Sequence, residues 1–190
     1  MNGLAEKILP PRATPFVGEL EVPGDKSISH RAVIFASLAK GQSKISHFLD
    51  GEDCLRTVDA FRAMGVEIEQ DGETLLINSK GPSEFIEPKT PLYFGNSGTT
   101  TRLMIGLLSG LPFFTTIYGD ESLTYRPMDR VTIPLKNMNA KIYGREHGKY
   151  LPLGIQAEEQ KISEDYPHVI RYEVAVRRQI DRKDQHEHRR

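Results

Sequence analysis

The chain has 190 residues, and its 25 Lys and Arg nearly balance its 26 Asp and Glu, which gives a formal net charge of -1. This length suits one ordinary domain, or one domain and part of another, and the near-neutral charge provides no global field to attract nucleic acid. An apolar content of 38% excludes a wholly disordered chain. Cys54 is the one cysteine, so an internal disulfide framework is excluded. The sequence shows no signal peptide and no stretch long enough to span a bilayer, which predicts a cytoplasmic protein.

The first part of the chain predicts the order strand, helix, strand, helix, strand, strand. The predicted segments are a strand at 17–22, a helix at 27–40, a strand at 44–49, a helix at 52–64 and strands at 66–68 and 75–77. A buried stripe on the first helix is predicted from its apolar spacing at Ile28, Ala32, Phe35, Ala36 and Ala39. The last two strands flank Asp71 and Gly72, a pair that predicts a hairpin turn.

The second part of the chain predicts the same order again. The segments are strand 92–94, helix 99–108, strand 113–118, helix 127–138 and strands 140–143 and 150–155. Pro127 is predicted at the first position of the second helix, where its missing N–H does no harm, while Pro134 lies inside that helix.

The glycine-led helix starts of the two parts are similar in sequence. Residues 24–31 (GDKSISHR) align with residues 95–102 (GNSGTTTR) at an offset of 71, and both blocks run from Gly to Arg. This predicts an α/β fold built from a duplicated βαβαββ unit. The alternative is that any two junctions of strand, glycine and helix look alike.

The first glycine-led helix start predicts an anion site. A helix N-terminus offers free N–H groups and the positive end of the helix dipole. Lys26 lies at this start, and Ser27 and Arg31 share one helix face because they are four residues apart. A phosphate or carboxylate suits such a site. The alternative is an ordinary capped helix with solvated basic residues.

The second helix start repeats this design. Gly98 allows a ligand close approach to the backbone, Thr99 adds a hydroxyl, and Arg102 takes the place of Arg31. Arg126 precedes a third predicted helix start, so the site is predicted to bind more than one anionic group.

Other polar residues predict no site. The acidic residues before the second helix are explained by their position at a helix start, where negative charge is favoured; they are Asp50, Glu52 and Asp53. His30 and His47 have no partners at a metal-ligand spacing, and no metal site is predicted.

Three ordered segments resemble the signatures of 5-enolpyruvylshikimate-3-phosphate synthases, also called 3-phosphoshikimate 1-carboxyvinyltransferases. They are residues 22–32 (VPGDKSISHRA), residues 94–102 (FGNSGTTTR), and residues 119–123 (GDESL) with 126–128 (RPM). The triple threonine and the Arg-Pro-Met form resemble the glyphosate-tolerant subgroup. The resemblance covers residues 13–155, which correspond to the N-terminal portion of the family.

The resemblance implies transfer of enolpyruvyl from phosphoenolpyruvate to the 5-hydroxyl of shikimate 3-phosphate, with release of phosphate. This step belongs to the shikimate pathway, through which chorismate and the aromatic amino acids are made, and it needs no metal and no other cofactor. The implied fold is an inside-out α/β barrel in each of two domains, with three βαβαββ units a domain. Helix N-termini in that fold face the cleft between the domains.

The resemblance also implies residue roles. Lys26 is similar to a lysine that touches both substrates, and Ser27 and Arg31 are similar to binders of shikimate 3-phosphate. Gly98 and Arg126 are similar to contacts of phosphoenolpyruvate. The remaining substrate-binding candidates match the second signature; they are Asn96, Thr99 and Arg102. No catalytic residue is assigned within this chain.

The chain departs from the family after the second unit. Residues 1–155 are predicted to hold two units of the N-terminal domain, whereas 156–190 are predicted to be an atypical charged tail, with the third unit and the second domain absent. Residues 157–190 contain eight basic and eight acidic residues. The expectation is therefore a truncated portion that is inactive alone, since catalysis requires groups held around the reacting atoms.

Two alternatives to this function stay open. One is a non-catalytic module that binds anions or a partner. The other is the sister family that transfers enolpyruvyl to UDP-N-acetylglucosamine, whose members use a cysteine in a mobile loop, although Cys54 lies in a predicted helix. The predicted partners are small anionic substrates, with no nucleic acid and no membrane, and the oligomeric state is left open.

Overall fold

The computed structural model describes residues 18–156. The first half of the described chain contains α1 (Lys26–Leu38), β1 (Gly41–Ile45), α2 (Glu52–Ala63), β2 (Glu67–Asp71) and β3 (Thr74–Ser79). A single 3-10 turn follows at Pro82–Glu84. The second half contains β4 (Leu92–Tyr93), α3 (Gly98–Leu108), β5 (Phe114–Tyr118), α4 (Glu121–Thr124), α5 (Asp129–Asn137), β6 (Lys141–Gly144), α6 (Arg145–Gly148) and β7 (Tyr150–Gln156).

The two halves build sheets with the same strand order. The first sheet is β1-β3-β2 and the second is β4-β5-β7-β6, so β5-β7-β6 repeats β1-β3-β2. All pairs in the first sheet are antiparallel, as are the β5–β7 and β6–β7 pairs, while β4 joins β5 in parallel. The fold is therefore α/β with a repeated unit, as the sequence predicts.

The central strands of the two sheets carry equivalent buried residues. Leu75 and Ile77 on β3 are fully buried, and Leu151, Leu153 and Ile155 on β7 are fully buried. Alternate residues on a strand point to the same face, so each central strand presents one apolar face to a shared core. That core continues through the helices, where Val58 and Phe61 on α2 and Met104 and Ile105 on α3 have no exposure.

The prediction of a strand at 17–22 is wrong for residues 18–22, which are the part that the structure describes. Residues 18–25 belong to no helix or strand, and Leu20 and Val22 are exposed. Without a neighbouring strand an apolar run gains no ladder hydrogen bonds and buries little surface. The first half therefore lacks, among the residues described, a counterpart of β4.

The buried stripe predicted on α1 is wrong except at Ala36, because a neighbouring face of the helix points to the core. Ile28 is 68% exposed and Phe35 is 38% exposed. The buried positions lie one residue further along; they are Ser29, His30, Val33, Ala36 and Ser37. A step of one residue rotates a helix by about 100°. Two polar side chains on this face bond other parts of the chain, those of Ser29 and His30.

Two hydrogen bonds attach this face of α1 to its neighbours, one through the Ser29 side chain and one through the Ser37 backbone. The Ser29 hydroxyl accepts a hydrogen bond from the Leu49 amide at 3.0 Å, and the Ser79 hydroxyl donates to the Ser37 carbonyl oxygen at 2.5 Å. A buried polar group with a partner avoids most of its desolvation penalty.

Several element boundaries differ from their predictions, and three of the differences are informative. The strand predicted at 44–49 begins at Gly41 and ends at Ile45, because the left-handed backbone of His47 (φ 54°) stops extended pairing. The hairpin turn is centred one residue later than predicted, with Asp71 paired to Thr74 across Gly72 and its neighbour. The helix predicted from Pro127 begins at Asp129, because the backbone of Met128 (φ -109°, ψ 1°) is not helical and this residue is the N-cap.

Candidate functional site

The start of α1 combines a capped helix with exposed basic groups. The Asp25 side chain accepts a hydrogen bond from the Ile28 amide at 2.8 Å, which fixes the first turn. Lys26 and Ser27 are exposed in that turn. Arg31 lies one turn later, and its Nη1 donates to the Ser27 carbonyl oxygen at 3.1 Å. The predicted sharing of one helix face by Ser27 and Arg31 is thus present in the structure.

The start of α3 has the same organisation. The Ser97 hydroxyl accepts from the Thr100 amide at 3.3 Å and caps the helix. Gly98 is buried in the first turn, whereas Asn96 and Thr99 on either side of it are exposed. Gly95 precedes the helix with φ 54°, a left-handed conformation that glycine adopts without strain.

Two arginine side chains lie beside Gly98. A methyl group built on Gly98 would lie 2.7 Å from Arg102 Nη1 and 3.4 Å from Arg126 Nη1. Arg102 is held there by bonds from its guanidinium to the Gly98 carbonyl at 3.2 Å and to the Pro127 carbonyl at 3.3 Å. A helix start with two guanidinium groups beside it is suited to a multiply charged anion.

The two helix starts are joined through the first turn of α2. Lys26 forms an ion pair with the Asp53 carboxylate, and the Thr100 hydroxyl donates to the Asp53 carbonyl oxygen at 3.0 Å. Asp53 therefore contacts α1 with its side chain and α3 with its backbone. Sequence reasoning explained Asp53 only as an acidic residue at a helix start. Its position in the first turn of α2 is the one signal that the sequence offers for this role.

A second set of residues missed by sequence reasoning forms a chain of buried hydrogen bonds. His30 Nδ1 lies 2.8 Å from Thr57 Oγ1, which lies 3.0 Å from Thr100 Oγ1, and Ser97 Oγ lies 2.7 Å from the same Thr100 atom. All four residues have no exposed surface. The chain joins α1, α2 and α3 at the ends that carry the basic groups.

Burial lowers the pKa of His30 below its ordinary value of 6.5. The charge on Lys26 lowers the pKa further, Asp53 acts in the opposite direction, and Arg31 adds a smaller lowering effect. Each effect follows from the imidazolium form, which is disfavoured in a buried site and beside another cation.

Protonation of His30 is expected to destabilise the folded chain in acid. Because the folded pKa is lowered, the unfolded chain binds the proton more tightly, and the free energy of unfolding falls as the pH drops below about 6.5. Above that pH the imidazole is neutral in both the folded and the unfolded chain, so it adds no pH dependence to the free energy of unfolding. Urea unfolding at about pH 7.5 and about pH 5.5 measures the loss.

His30→Asn is expected to reduce this loss, because an amide stays uncharged at both pH values. His47→Asn is the matched control, since His47 is an exposed histidine with a left-handed backbone that asparagine tolerates. An equal pH dependence in wild type and His30→Asn would contradict the assignment.

The structure brings some of the predicted residues together directly. Gly98, Arg102 and Arg126 are in mutual proximity, and Ser27 contacts Arg31. Lys26 connects to α3 only through Asp53. Within residues 18–156, no group of three or more metal-ligating side chains is found, and no helix is long and apolar enough to cross a membrane.

Comparison with known proteins identifies the family. The family model described as EPSP synthase (3-phosphoshikimate 1-carboxyvinyltransferase) matches residues 11–167. The chain belongs to the EPSP synthase family. The resemblance inferred from the three sequence segments is thereby confirmed, as is the fold class.

Relatives within the EPSP synthase family are similar over most of this chain. A 3-phosphoshikimate 1-carboxyvinyltransferase of Oceanobacillus iheyensis is 57% identical over 155 residues, which are 82% of this chain and 35% of the relative. One of Bacillus subtilis is 52% identical over 144 residues, covering 76% of this chain and 34% of the relative. The chain thus spans about a third of the length of these relatives.

A solved EPSP synthase shares the fold of the described residues. The EPSP synthase of Acinetobacter baumannii has a TM-score of 0.72 and 42% identity, with 75% of this chain and 32% of that chain covered. The alternative of the sister family is not supported by these relatives, which bear the shikimate name. In agreement, Cys54 lies buried within α2 rather than in a loop, and burial raises the pKa of its thiol.

Proposed function

We propose that this chain provides part of the surface on which an EPSP synthase binds shikimate 3-phosphate and phosphoenolpyruvate. The observation that carries the proposal is the approach of two guanidinium groups, those of Arg102 and Arg126, to Gly98 at the start of α3. A phosphate or carboxylate placed there meets free helix N–H groups and two cations. The proposed reaction is enolpyruvyl transfer to the 5-hydroxyl with release of phosphate.

The proposed roles divide between the two helix starts. Ser27 and Arg31 on α1 bind shikimate 3-phosphate, and Gly98 and Arg126 bind phosphoenolpyruvate. Lys26 touches both substrates, which is supported by its connection to α3 through Asp53. Three further exposed or half-buried residues shape the same pocket; they are Asn96, Thr99 and Arg102. Both substrates carry several negative charges, so fixed cations favour the complex electrostatically.

We further propose that residues 1–155 hold two βαβαββ units of the substrate-binding domain, and that the enzyme works in the cytoplasm on small anions. The repeated strand order, β1-β3-β2 and β5-β7-β6, supports the part of the two units that follows their first strand. The near-neutral net charge argues against nucleic acid as a partner. The chain spans about a third of its relatives, so the proposal concerns substrate binding, and no turnover is expected from these residues alone.

Calorimetric titration of the purified chain with shikimate 3-phosphate tests the proposal. Arg31→Ala is expected to weaken binding by about 10- to 100-fold, because a charge-assisted contact is removed. Lys44→Ala is the control, since it removes an equal charge from an exposed position on β1. Wild-type chain that binds no shikimate 3-phosphate, or equal weakening in both variants, would contradict the proposal.

A further inference from the structure

The buried hydrogen bonds between α1, α2 and α3 determine which atom carries the proton in each bond. Each threonine or serine hydroxyl has one proton to donate and can accept further bonds. The Thr100 hydroxyl is 3.0 Å from the Asp53 carbonyl oxygen. A carbonyl oxygen can only accept, so the Thr100 proton is used in this bond.

The remaining hydroxyls must then donate towards Thr100. Thr57 Oγ1 and Ser97 Oγ lie 3.0 Å and 2.7 Å from Thr100 Oγ1, and both can supply a proton to it. Once Thr57 has donated its only proton, its oxygen can act towards His30 only as an acceptor. The 2.8 Å contact is therefore a bond from a protonated His30 Nδ1 to Thr57.

The second ring nitrogen of His30 agrees with this assignment. His30 is fully buried, and Nε2 has no hydrogen-bond partner among residues 18–156. A neutral ring protonated on Nδ1 leaves a bare lone pair at Nε2, whereas the other tautomer would bury an unpaired N–H, which proteins rarely allow. A doubly protonated ring would bury a charge as well, close to the cations Lys26 and Arg31 and opposed only by Asp53.

We propose that His30, as the neutral tautomer protonated on Nδ1, is a positioning residue that orders the start of α3 through Thr57 and Thr100. Its effect on substrate rests on the function proposed above, because α1 and α3 carry the two groups of candidate binding residues. His30 adjoins Arg31 in sequence, and Thr100 lies between Gly98 and Arg102. One hydrogen-bond chain thus sets the distance between the two groups, and small displacements weaken a site that must hold a ligand in a fixed geometry.

The tautomer is measured first, on the full chain and without ligand. Long-range proton–nitrogen correlation spectra distinguish a protonated Nδ1 from a protonated Nε2 in each histidine, and loss of the signals in His30→Asn identifies those of His30. The expected result is a proton on Nδ1 at neutral pH. A proton on Nε2 would overturn the proposal.

The ordering of α3 is measured by amide hydrogen exchange at Thr100 and Thr101, whose N–H groups bond the Ser97 hydroxyl and the Ser97 carbonyl. His30→Leu removes the Nδ1–H donor and is expected to speed exchange at both amides about tenfold, an effect that corresponds to the loss of one hydrogen bond. His30→Asn keeps an N–H donor near the position of Nδ1 and is expected to restore slow exchange.

Thr57→Val keeps the proposal testable if His30→Leu fails to fold, because valine matches threonine in shape and lacks only the hydroxyl. We expect Thr57→Val to speed exchange at Thr100 and Thr101 and to leave the amides of β7 unchanged. Unchanged exchange at Thr100 and Thr101, or equal acceleration throughout β7, would overturn the positioning role.

Calorimetry with shikimate 3-phosphate separates this inference from the proposed function. Wild-type chain that fails to bind contradicts the proposed function, and the ordering of α3 is then decided by exchange and tautomer alone. Where wild type binds, His30→Leu and Thr57→Val are expected to bind about tenfold more weakly, and His30→Asn with near-normal affinity. Wild-type affinity in the first two variants would contradict the positioning of substrate.

Discussion

Phe61→Ala is expected to lower the free energy of unfolding by about 3–5 kcal/mol, the range for removing a buried aromatic ring. Phe61 lies on α2 with no exposed surface and packs edge-on against Phe85, with ring centroids 5.9 Å apart. Its loss leaves a cavity where α2 meets the chain that follows the first sheet. Surrounding side chains can fill only part of that space, because they pack on the same core.

Urea unfolding followed by circular dichroism measures this loss. Phe114→Ala is the matched control, since Phe114 is 46% exposed on β5 and its removal opens no enclosed cavity. The control is expected to lose much less stability than Phe61→Ala. Similar losses in the two variants would show that the core does not depend on Phe61.

Gly24→Ala is expected to destabilise the chain by about 1–3 kcal/mol or more, as overpacking does in a site that cannot relax. A methyl group at Gly24 would overlap the His47 carbonyl oxygen and lie 3.0 Å from the Leu49 amide nitrogen. Both atoms belong to the backbone, so no side-chain rotation relieves the overlap. The residue after Gly24 is Asp25, which caps α1, and a shift there would also displace Lys26.

Gly18→Ala provides the control for this prediction, because a methyl group at Gly18 has no atom within 4 Å. We expect its free energy of unfolding to lie within about 0.5 kcal/mol of the wild-type value, as for most surface substitutions. Thermal unfolding of the two variants side by side decides the matter. An unchanged midpoint in Gly24→Ala would contradict the close packing of this turn.

The repeated unit could be predicted from sequence because its signals are local. A glycine before each helix, an acidic or hydroxyl cap and a hairpin between apolar strands are all decided within a few residues. The structure places α1, α2 and α3 within two residues of their predicted limits and repeats one strand order in both sheets. The predicted basic residues of the site follow from the same local logic, since they lie in the first two turns of a helix or just before one.

The burial of α1 could not be predicted, because it depends on what lies opposite the helix. Apolar spacing favours the face of Ile28 and Phe35, but Ser29 and His30 have polar partners on other elements. A polar residue with a partner can be buried at small net cost, and the partner is invisible in a local pattern. Asp53 and Thr57 were missed for the same reason, since each bonds a residue 27 positions away.

The shared hydrogen bonds of His30, Thr57 and Thr100 have a consequence for how substitutions combine in this chain. Each residue is a hydrogen-bond partner of another. Once one of them is replaced, replacing a second removes little further stability, so the effects of paired substitutions are less than additive. A change tolerated at one of these positions in one sequence will be damaging in another that keeps a different partner. Substitutions at these three positions should therefore be measured in pairs, because a single substitution misjudges what each position permits.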